Sequence, residues 1–361
     1  MHRYPLKIRW FETPRFETPT RGFYPFQILH AKADLLCLSG QLPQARGIHE
    51  KNILTAEASG QLALAAESRI KLTKILFSMG EMEAAMKLAE QAGEIYDQID
   101  DQSSLVSVGV VMGILYTNLG DFPAALEHFN LSLEKAVKTR DIFNQGNIYN
   151  GLGNVYLCQG DYPKALEYFQ KKLASATELN DRPGTGLVLG SIGNMYAMTG
   201  QHELALDYYR QTLSIAKEIG DRVFAAHAIG SMGTVYRDTG NFQSALDCFR
   251  QQLDETRKLG SVKDQAVAMA SIADVYGDMN QPLKALDYFD QALTVFRRMG
   301  LKYHLCGILL DKAKVCFAIR DFAQAKALAS ETLDLSQEIN RPDTLESARD
   351  FLNKLGDHRP G

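Results

Sequence analysis

Apolar residues recur every three or four positions along most of the chain. Ile148, Leu152 and Val155 follow this spacing, and after a short polar interval Ala165 and Phe169 resume it. This is the period of an amphipathic α-helix, and no stretch shows the alternation typical of a strand. Two apolar runs separated by a turn make a helical hairpin, so the pattern predicts an all-α protein.

The hairpin pattern repeats at a period of 40 residues without insertion or deletion. The segments GILYTNLGDFPAALEHF, GNVYLCQGDYPKALEYF, GNMYAMTGQHELALDYY and GTVYRDTGNFQSALDCF end at Phe129, Phe169, Tyr209 and Phe249. A small residue recurs at Ala45, Ala85, Ala125, Ala165, Ala205, Ala245, Ala285 and Ala325. The turn residue is Gly40, Gly80, Gly120, Gly160, Gly200 and Gly240, then Asn280 and Arg320. We expect eight repeats over residues 26–340, stacked so that neighbours share one continuous core.

Polar and special residues stand where helices should begin. Asp141, Asp181 and Asp221 precede first helices and are predicted N-caps. Pro123 and Pro163 fall in the first turn of second helices, where a missing N–H costs nothing. The turn glycine tolerates the left-handed conformation that ends a helix.

Four glycines inside the first helices need a separate explanation. Gly113, Gly153, Gly193 and Gly233 occupy one position of successive repeats. Because each costs about 0.5–1 kcal/mol relative to alanine in a helix, we expect them to admit a closely packed neighbour. The segment PGTGLVLG at 183–190 has the wrong glycine spacing for a dinucleotide fingerprint and follows a helical pattern, so we do not expect a phosphate site.

The combination L/I-G-N-x-Y, then G-D/N-F/Y, then A-L-x-Y-F resembles the tetratricopeptide repeat. The similarity covers residues 26–340 and is greatest to the long repeats of Leu-Gly-Asn-type spindle-orientation adaptors and of bacterial signalling proteins. Leu36, Leu76 and Cys316 depart from it at the helix tyrosine, and Lys312 stands at an apolar position. The resemblance implies a right-handed superhelical solenoid of about eight hairpins, ended by a capping helix over 341–356 and a tail over 357–361.

In tetratricopeptide folds the first helix of each repeat lines a concave groove, and the register transfers those positions to this chain. The expected peptide-binding groove contains Asn118, Asn147, Asn150, Asn154, Asn194, His227, Thr234, Arg237, Asp238, Asp274, Asp278 and Lys314. An asparagine amide both donates and accepts hydrogen bonds, so a row of them suits the backbone of a peptide. The other interpretation is that any wet concave surface carries polar residues, and both stay open here.

The charged positions of this set suggest a ligand bearing Lys or Arg at one end. Arg237, Asp238, Asp274 and Asp278 follow the asparagines along the chain. Ion pairs among these four side chains explain the pattern equally well.

Composition narrows the class of protein. The net charge of −4 does not favour nucleic acid, and the apolar window at 104–116 is shorter than the roughly 20 residues of a membrane helix. Five widely spaced cysteines without a C-x-x-C pair are typical of a reducing compartment, so we expect a cytoplasmic protein. The eight histidines show no metal-binding spacing, and no catalytic motif is present. We therefore expect no enzyme activity, no metal and no cofactor.

Residues 1–25 fit no repeat and contain the only tryptophan, Trp10, with a tandem FETP motif. The proline spacing favours an extended arm. It could cover the apolar end of repeat one, link to an upstream domain, or dock a partner. For the whole chain we expect a protein-interaction scaffold, and the alternative is a ligand-sensing module that controls a signalling output domain.

Overall fold

The computed structural model describes residues 24–339 and 341–357. The predicted arm over residues 1–25 and the tail over 357–361 lie almost wholly outside this range. Within it the chain forms 17 α-helices and no strand, which confirms the all-α class. The helices are α1 (Tyr24–Leu38), α2 (Leu42–Ala58), α3 (Leu62–Met79), α4 (Met82–Gln98), α5 (Gln102–Leu119), α6 (Phe122–Lys138), α7 (Ile142–Cys158), α8 (Tyr162–Glu178), α9 (Arg182–Met198), α10 (His202–Glu218), α11 (Arg222–Asp238), α12 (Phe242–Lys258), α13 (Val262–Asp278), α14 (Pro282–Met299), α15 (Lys302–Ala318), α16 (Phe322–Glu338) and α17 (Pro342–Asp357).

The helices group into two units. Unit 1 takes its described residues from Met1–Leu36, Pro43–Phe77 and Met82–Ala228, and unit 2 takes them from Cys37–Leu42, Ser78–Glu81 and Ile229–Gly361. In unit 1, α5 packs on α6, α7 on α8 and α9 on α10, so each odd-numbered helix begins a hairpin. In unit 2 the hairpins are α13 with α14 and α15 with α16, and α17 packs on α16.

Helix starts follow the predicted caps. The Asp141 carboxylate accepts the backbone N–H of Asn144 at 3.0 Å, and Asp181 accepts that of Gly184 at 2.8 Å. Asp221 likewise accepts the N–H of Phe224 at 2.8 Å. Each carboxylate satisfies a donor that has no partner inside the helix, which confirms these N-caps.

A left-handed residue stands between consecutive helices about every 20 residues. Gly160 has a φ of 77° at the turn inside a hairpin. Asn280 and Arg320, which replace the turn glycine, have φ values of 56° and 65°. The left-handed turn therefore persists where the glycine does not, and Arg320 adopts a conformation that side chains with a Cβ disfavour.

The core of unit 1 runs through consecutive hairpins. One cluster joins Val106, Val110 and Ile114 of α5 to Phe129 of α6 and Leu152 of α7. Because α7 contributes to the same cluster as the preceding hairpin, neighbouring repeats share their core, as stacking requires.

The four interior glycines lie against aromatic rings. A Cβ built on Gly113 would come within 2.7 Å of the Phe129 ring. The equivalent distance is 2.8 Å from Gly193 to Tyr209 and 2.8 Å from Gly233 to Phe249. Since real Cβ atoms do not approach so closely, the packing explanation for these glycines is confirmed.

Candidate functional site

The first helices of successive hairpins form the inner layer of unit 1. Helix α7 contacts both α5 and α9, the first helices on either side of it, in addition to its own hairpin partner α8. The second helices α6 and α8 make their contacts mainly with the adjoining first helices. We call the layer of α5, α7 and α9 the inner layer.

Three asparagines of α7 lie buried in this layer. Asn147, Asn150 and Asn154 are only 4%, 2% and 4% exposed. Their spacing of three and four residues places them on one face of the helix. Sequence alone presents them as polar residues on a wet surface, whereas the neighbouring helices cover most of each side chain.

The hydrogen bonds of this row are incomplete. The Asn147 side-chain oxygen accepts a long bond of 3.5 Å from the Lys172 ammonium, and that of Asn150 accepts one of 3.3 Å from the Ser191 hydroxyl. Asn154 makes no side-chain hydrogen bond to another described residue. The side-chain nitrogens of this row donate no hydrogen bond to a described residue, and none of them is a fully enclosed atom without a partner, so they keep donor capacity that a ligand can use.

Lys172 of α8 lies behind the asparagine row, and the sequence analysis missed it. Its side chain is buried, with the ammonium 3.5 Å from the carboxylate of Asp181. Burial lowers the pKa of Lys172, and the Asp181 carboxylate opposes this effect. The charge therefore lies in a poorly solvated position close to the oxygen of Asn147.

A signal for Lys172 is present in the sequence. It belongs to a position of the second helices that carries a polar residue in six repeats. The six, all buried, are Asn52, Ser132, Lys172, Thr212, Gln252 and Thr332. Comparison of the repeats at this position would have indicated a polar site inside the fold.

Two other predicted groove residues of unit 1 have engaged side chains. The Asn194 oxygen accepts a hydrogen bond of 2.7 Å from the Tyr209 hydroxyl. The Asn118 amide donates to the carbonyl of Ile114 in its own helix at 2.8 Å. His227, on α11, is half-buried. Asn118 therefore uses its side-chain nitrogen within its own helix, whereas Asn194, like Asn147 and Asn150, accepts one hydrogen bond through its side-chain oxygen.

Unit 2 contains the charged part of the predicted set. The Arg237 guanidinium lies 2.8 Å from the carboxylate of Asp274 and 2.9 Å from that of Asp278. The ion pairs considered from the sequence are thus formed. Lys314 pairs with Asp311 at 2.7 Å, and Thr234 donates to the carbonyl of Gly230 at 3.2 Å. Asp238 is exposed at the end of α11.

One carboxylate of this cluster, that of Asp274, has a raised pKa. Burial raises the pKa of Asp274 to about 7, the neighbouring Asp311 adds to the rise, and Arg237 opposes it. Burial also disfavours the charge on Arg237, but Asp274 and Asp278 outweigh it and raise its pKa. Arg237 therefore offsets only part of the negative charge around Asp274. The Asp274 carboxyl changes charge near neutral pH.

Other reactive groups offer little chemistry. The five cysteines are free, and burial raises the pKa of Cys158 to about 11. No group of three or more metal-ligating side chains occurs among the described residues. Lys312, the charged residue at an apolar position, is buried and pairs with Asp290.

One described helix, α5, is long and apolar enough to cross a membrane. It has 18 residues, more than the apolar window seen in the sequence, and a mean hydropathy of 1.2. Val106, Val110 and Ile114 of this helix belong to the core cluster of unit 1. Its hydropathy is therefore accounted for by packing inside the protein.

The repeat pattern, the hairpins and the shared core define a tetratricopeptide-type solenoid. A tetratricopeptide repeat family model matches residues 110–171, 144–218 and 224–298, together just over half of the chain. The chain belongs to the tetratricopeptide repeat family. No curated protein matches it in sequence.

Several solved structures share the fold at low sequence identity. A Rap protein complexed with competence and sporulation factor has 14% identity and a TM-score of 0.56, covering 93% of this chain and 100% of that one. NprR in complex with its cognate peptide NprX has 17% identity and a TM-score of 0.56, with coverages of 79% and 86%.

A signal transduction ATPase with a tetratricopeptide repeat sensor, from Pyrococcus horikoshii, also shares the fold and is a longer protein. It has 15% identity and a TM-score of 0.57, and the match covers 87% of this chain. The chain spans about half the length of that ATPase, 49%. At these identities the likeness establishes the fold alone.

Proposed function

We propose that this chain is a non-enzymatic module that binds an extended peptide or a segment of a partner protein on the inner layer of unit 1. The observation that carries the proposal is the row formed by Asn147, Asn150 and Asn154, whose side chains are almost fully covered and whose amide nitrogens donate no hydrogen bond to a described residue. A peptide backbone supplies the carbonyl and N–H groups that such amides bind.

Two similar folds support this choice of partner. The Rap and NprR structures were solved with a bound factor and a cognate peptide, respectively. The net charge of −4 supplies no general attraction for nucleic acid or anionic membranes. We therefore propose a protein or peptide partner, and a cytoplasmic location consistent with the free thiols.

The carboxylates of unit 2 add a separate preference. Asp274 and Asp278 flank a single guanidinium, and Asp311 adds further negative charge near Asp274. A Lys or Arg side chain of a partner would favour the ionised form of Asp274, whose pKa is raised to about 7. Affinity for a basic residue at this cluster should accordingly increase between pH 6 and pH 8.

A second candidate function is ligand sensing. The ATPase with a similar fold carries its tetratricopeptide repeats as a sensor. In this alternative, peptide binding would change the arrangement of the helices and so control an attached or associated output domain. Small-angle scattering with and without the peptide separates the two functions, because a passive scaffold keeps the same profile.

The test begins with a phage-displayed library of random short peptides panned against the chain. For the selected peptide, Asn150→Ala with Asn154→Ala should weaken binding about tenfold or more, since each lost hydrogen bond costs about 1 kcal/mol. Asn118→Ala is the matched control because its amide is bonded to its own helix.

Stability measurements decide what a loss of binding means. The double variant should keep a urea midpoint close to that of the wild type. If unfolding shifts as much as binding, the asparagines are structural. If Asn118→Ala weakens binding equally, the site does not lie on α7.

A further inference from the structure

A cavity of about 280 Å³ opens in unit 1 among α4, α5 and α6. Val108 and Met112 of α5 form its buried part, and Leu131 of α6 stands at its edge with 54% of its surface exposed. Pockets for drug-sized ligands begin at about 300 Å³, so this cavity suits a smaller group, such as one large side chain.

The cavity occurs where one repeat has a glycine in place of a large side chain. Gly109 of α5 lines the cavity. The residues at steps of 40 from Gly109 in the seven other repeats are all larger: Leu29, Arg69, Tyr149, Leu189, Ile229, Met269 and Leu309. The last four of these are at most 8% exposed. The repeat fold therefore normally places a large, mostly apolar side chain at this position.

The next repeat shows where such a side chain packs. Tyr149 corresponds to Gly109, and its ring centroid lies 6.3 Å from that of Tyr168 on α8. Tyr168 corresponds to His128 of α6, which lines the cavity. The side chain at this position thus packs against the wall that remains uncovered in the preceding repeat.

Ser132 of α6 adds a polar group to the cavity. It is only 4% exposed, and its hydroxyl forms no hydrogen bond with another described residue. A Cβ built on Gly109 would overlap this hydroxyl, so the chain cannot fill the space from Gly109 unless Ser132 moves. Because buried polar groups normally have a partner, the hydroxyl is available to a ligand.

Two charges of opposite sign lie at the mouth of the cavity. Glu90 of α4 and Lys135 of α6 are exposed and line it. Neither forms an ion pair within the part of the chain that the structure describes. A peptide with a basic residue on one side of its apolar side chain and an acidic residue on the other would complement both charges.

We propose that this cavity is a second binding site, which receives one large apolar side chain from a segment of a partner protein. The inserted side chain takes the place that Leu189, Ile229, Met269 and Leu309 fill in their own repeats. The Ser132 hydroxyl bonds a backbone group of the segment, and Glu90 and Lys135 orient it. This site is separate from the asparagine row, which lies on α7.

Met112 allows the site to be tested directly. The full chain, labelled with ¹³C at its methionine methyl groups, is titrated with acetyl-Lys-Leu-Glu-amide and followed by methyl NMR. Met112→Leu, a volume-conserving change, assigns the signal. That signal should shift saturably, and the same peptide with Ala in place of Leu should bind at least about tenfold more weakly, because it buries less apolar surface.

Substitutions on α6 locate the binding site. Leu131→Glu removes an apolar wall and should weaken the Leu peptide at least about fivefold. Val137→Glu is the matched control, since Val137 lies on the same helix, is 52% exposed and does not line the cavity. Ser132→Ala should weaken binding about threefold to tenfold through the lost hydrogen bond. Far-UV circular dichroism shows whether each variant keeps its helices.

The contrary results are equally distinct. If the Met112 signal does not move at millimolar peptide, or moves equally with the Leu and Ala peptides, the proposal is wrong. Equal losses for Leu131→Glu and Val137→Glu would place binding elsewhere. If leucine amide binds as tightly as the peptide, the ligand is a free small molecule. If the signal moves on raising the protein concentration alone, a second copy fills the cavity instead.

Discussion

The ring of Phe169 lies so close to Gly153 that a methyl group built on the glycine would come within 2.5 Å of a ring carbon. The two residues belong to the two helices of one hairpin, and the same glycine–aromatic contact recurs in three other repeats. The absence of a side chain at one position thus sets how closely the helices of these four hairpins approach.

Gly153→Ala should destabilise the protein by about 1–3 kcal/mol, because the ring or a helix must move to admit the methyl group. Gly307→Ala is the control, since nothing lies within 4 Å of its added Cβ. That change should stabilise α15 by about 0.5–1 kcal/mol through helix propensity alone. Urea unfolding measures both, and equal shifts of the same sign would contradict the packing explanation.

Arg320→Gly should stabilise the protein by about 0.5–1 kcal/mol, because a residue with a Cβ is strained at its φ of 65°. The reciprocal change, Gly160→Ala, should destabilise by about 1 kcal/mol although space is available there. The midpoint of urea unfolding reports both changes. An unchanged midpoint for both variants would show that the turns relax without cost.

Acid should destabilise unit 1 through His49. Burial is the main cause that lowers the pKa of His49 from 6.5 to about 3. His30 and Lys71 also lower this pKa, by smaller amounts, and Glu67 opposes them. The folded state holds this imidazole neutral, so its contribution to stability is complete above pH 6.5 and is lost as the pH falls toward 3.

The loss at pH 5 should be about 2 kcal/mol relative to pH 8. His49→Gln removes the titrating group and should flatten this part of the pH profile of the unfolding free energy. His202→Gln, at a histidine of α10, serves as the comparison. Parallel profiles for the wild type and His49→Gln would assign the acid sensitivity to other groups.

Asp274 should give a pH dependence of the opposite sign. Its folded pKa, about 7, lies above the ordinary value of 3.8, so the folded state retains a proton that the unfolded state has released. The stability from this group is present below pH 4 and is lost as the pH rises to 7.

Asp274→Asn should therefore stabilise unit 2 by about 1–2 kcal/mol at pH 8, where repulsion from Asp278 and Asp311 is greatest, with a smaller gain at pH 5. Urea unfolding at the two pH values checks the sign. Asp278→Asn, at a more exposed carboxylate that also pairs with Arg237, serves as the comparison. A loss of stability for Asp274→Asn at pH 8 would mean that its pairing with Arg237 outweighs the repulsion.

The helices, their N-caps at Asp141, Asp181 and Asp221, and the role of the interior glycines could be predicted because they depend on short-range rules repeated in register. A carboxylate reaches an N–H three residues along, and a glycine recurs wherever an aromatic ring recurs. The left-handed conformation of Arg320 also follows from register, once the turn position is recognised, although its residue type argues against it.

The candidate site depended more on contacts between repeats. The sequence alone identified the asparagines of α7 as a row. Their burial and the hydrogen bond that Asn150 accepts from Ser191 depend on α9, because Ser191 lies 41 residues further along the chain. Lys172 escaped notice because a lysine in a helix is ordinarily a solvated residue, and only the packing of α8 behind α7 removes its water.

The all-α repeat class and the position of each hairpin could be predicted without a structure, because helical periodicity and turn chemistry act over a few residues. The pairing of Arg237 with Asp274 and Asp278 in unit 2, and the near-complete burial of Asn154 in unit 1, could be known only from the packed structure. Pairing and burial arise where different helices meet, and the distances between them are not encoded in any single segment.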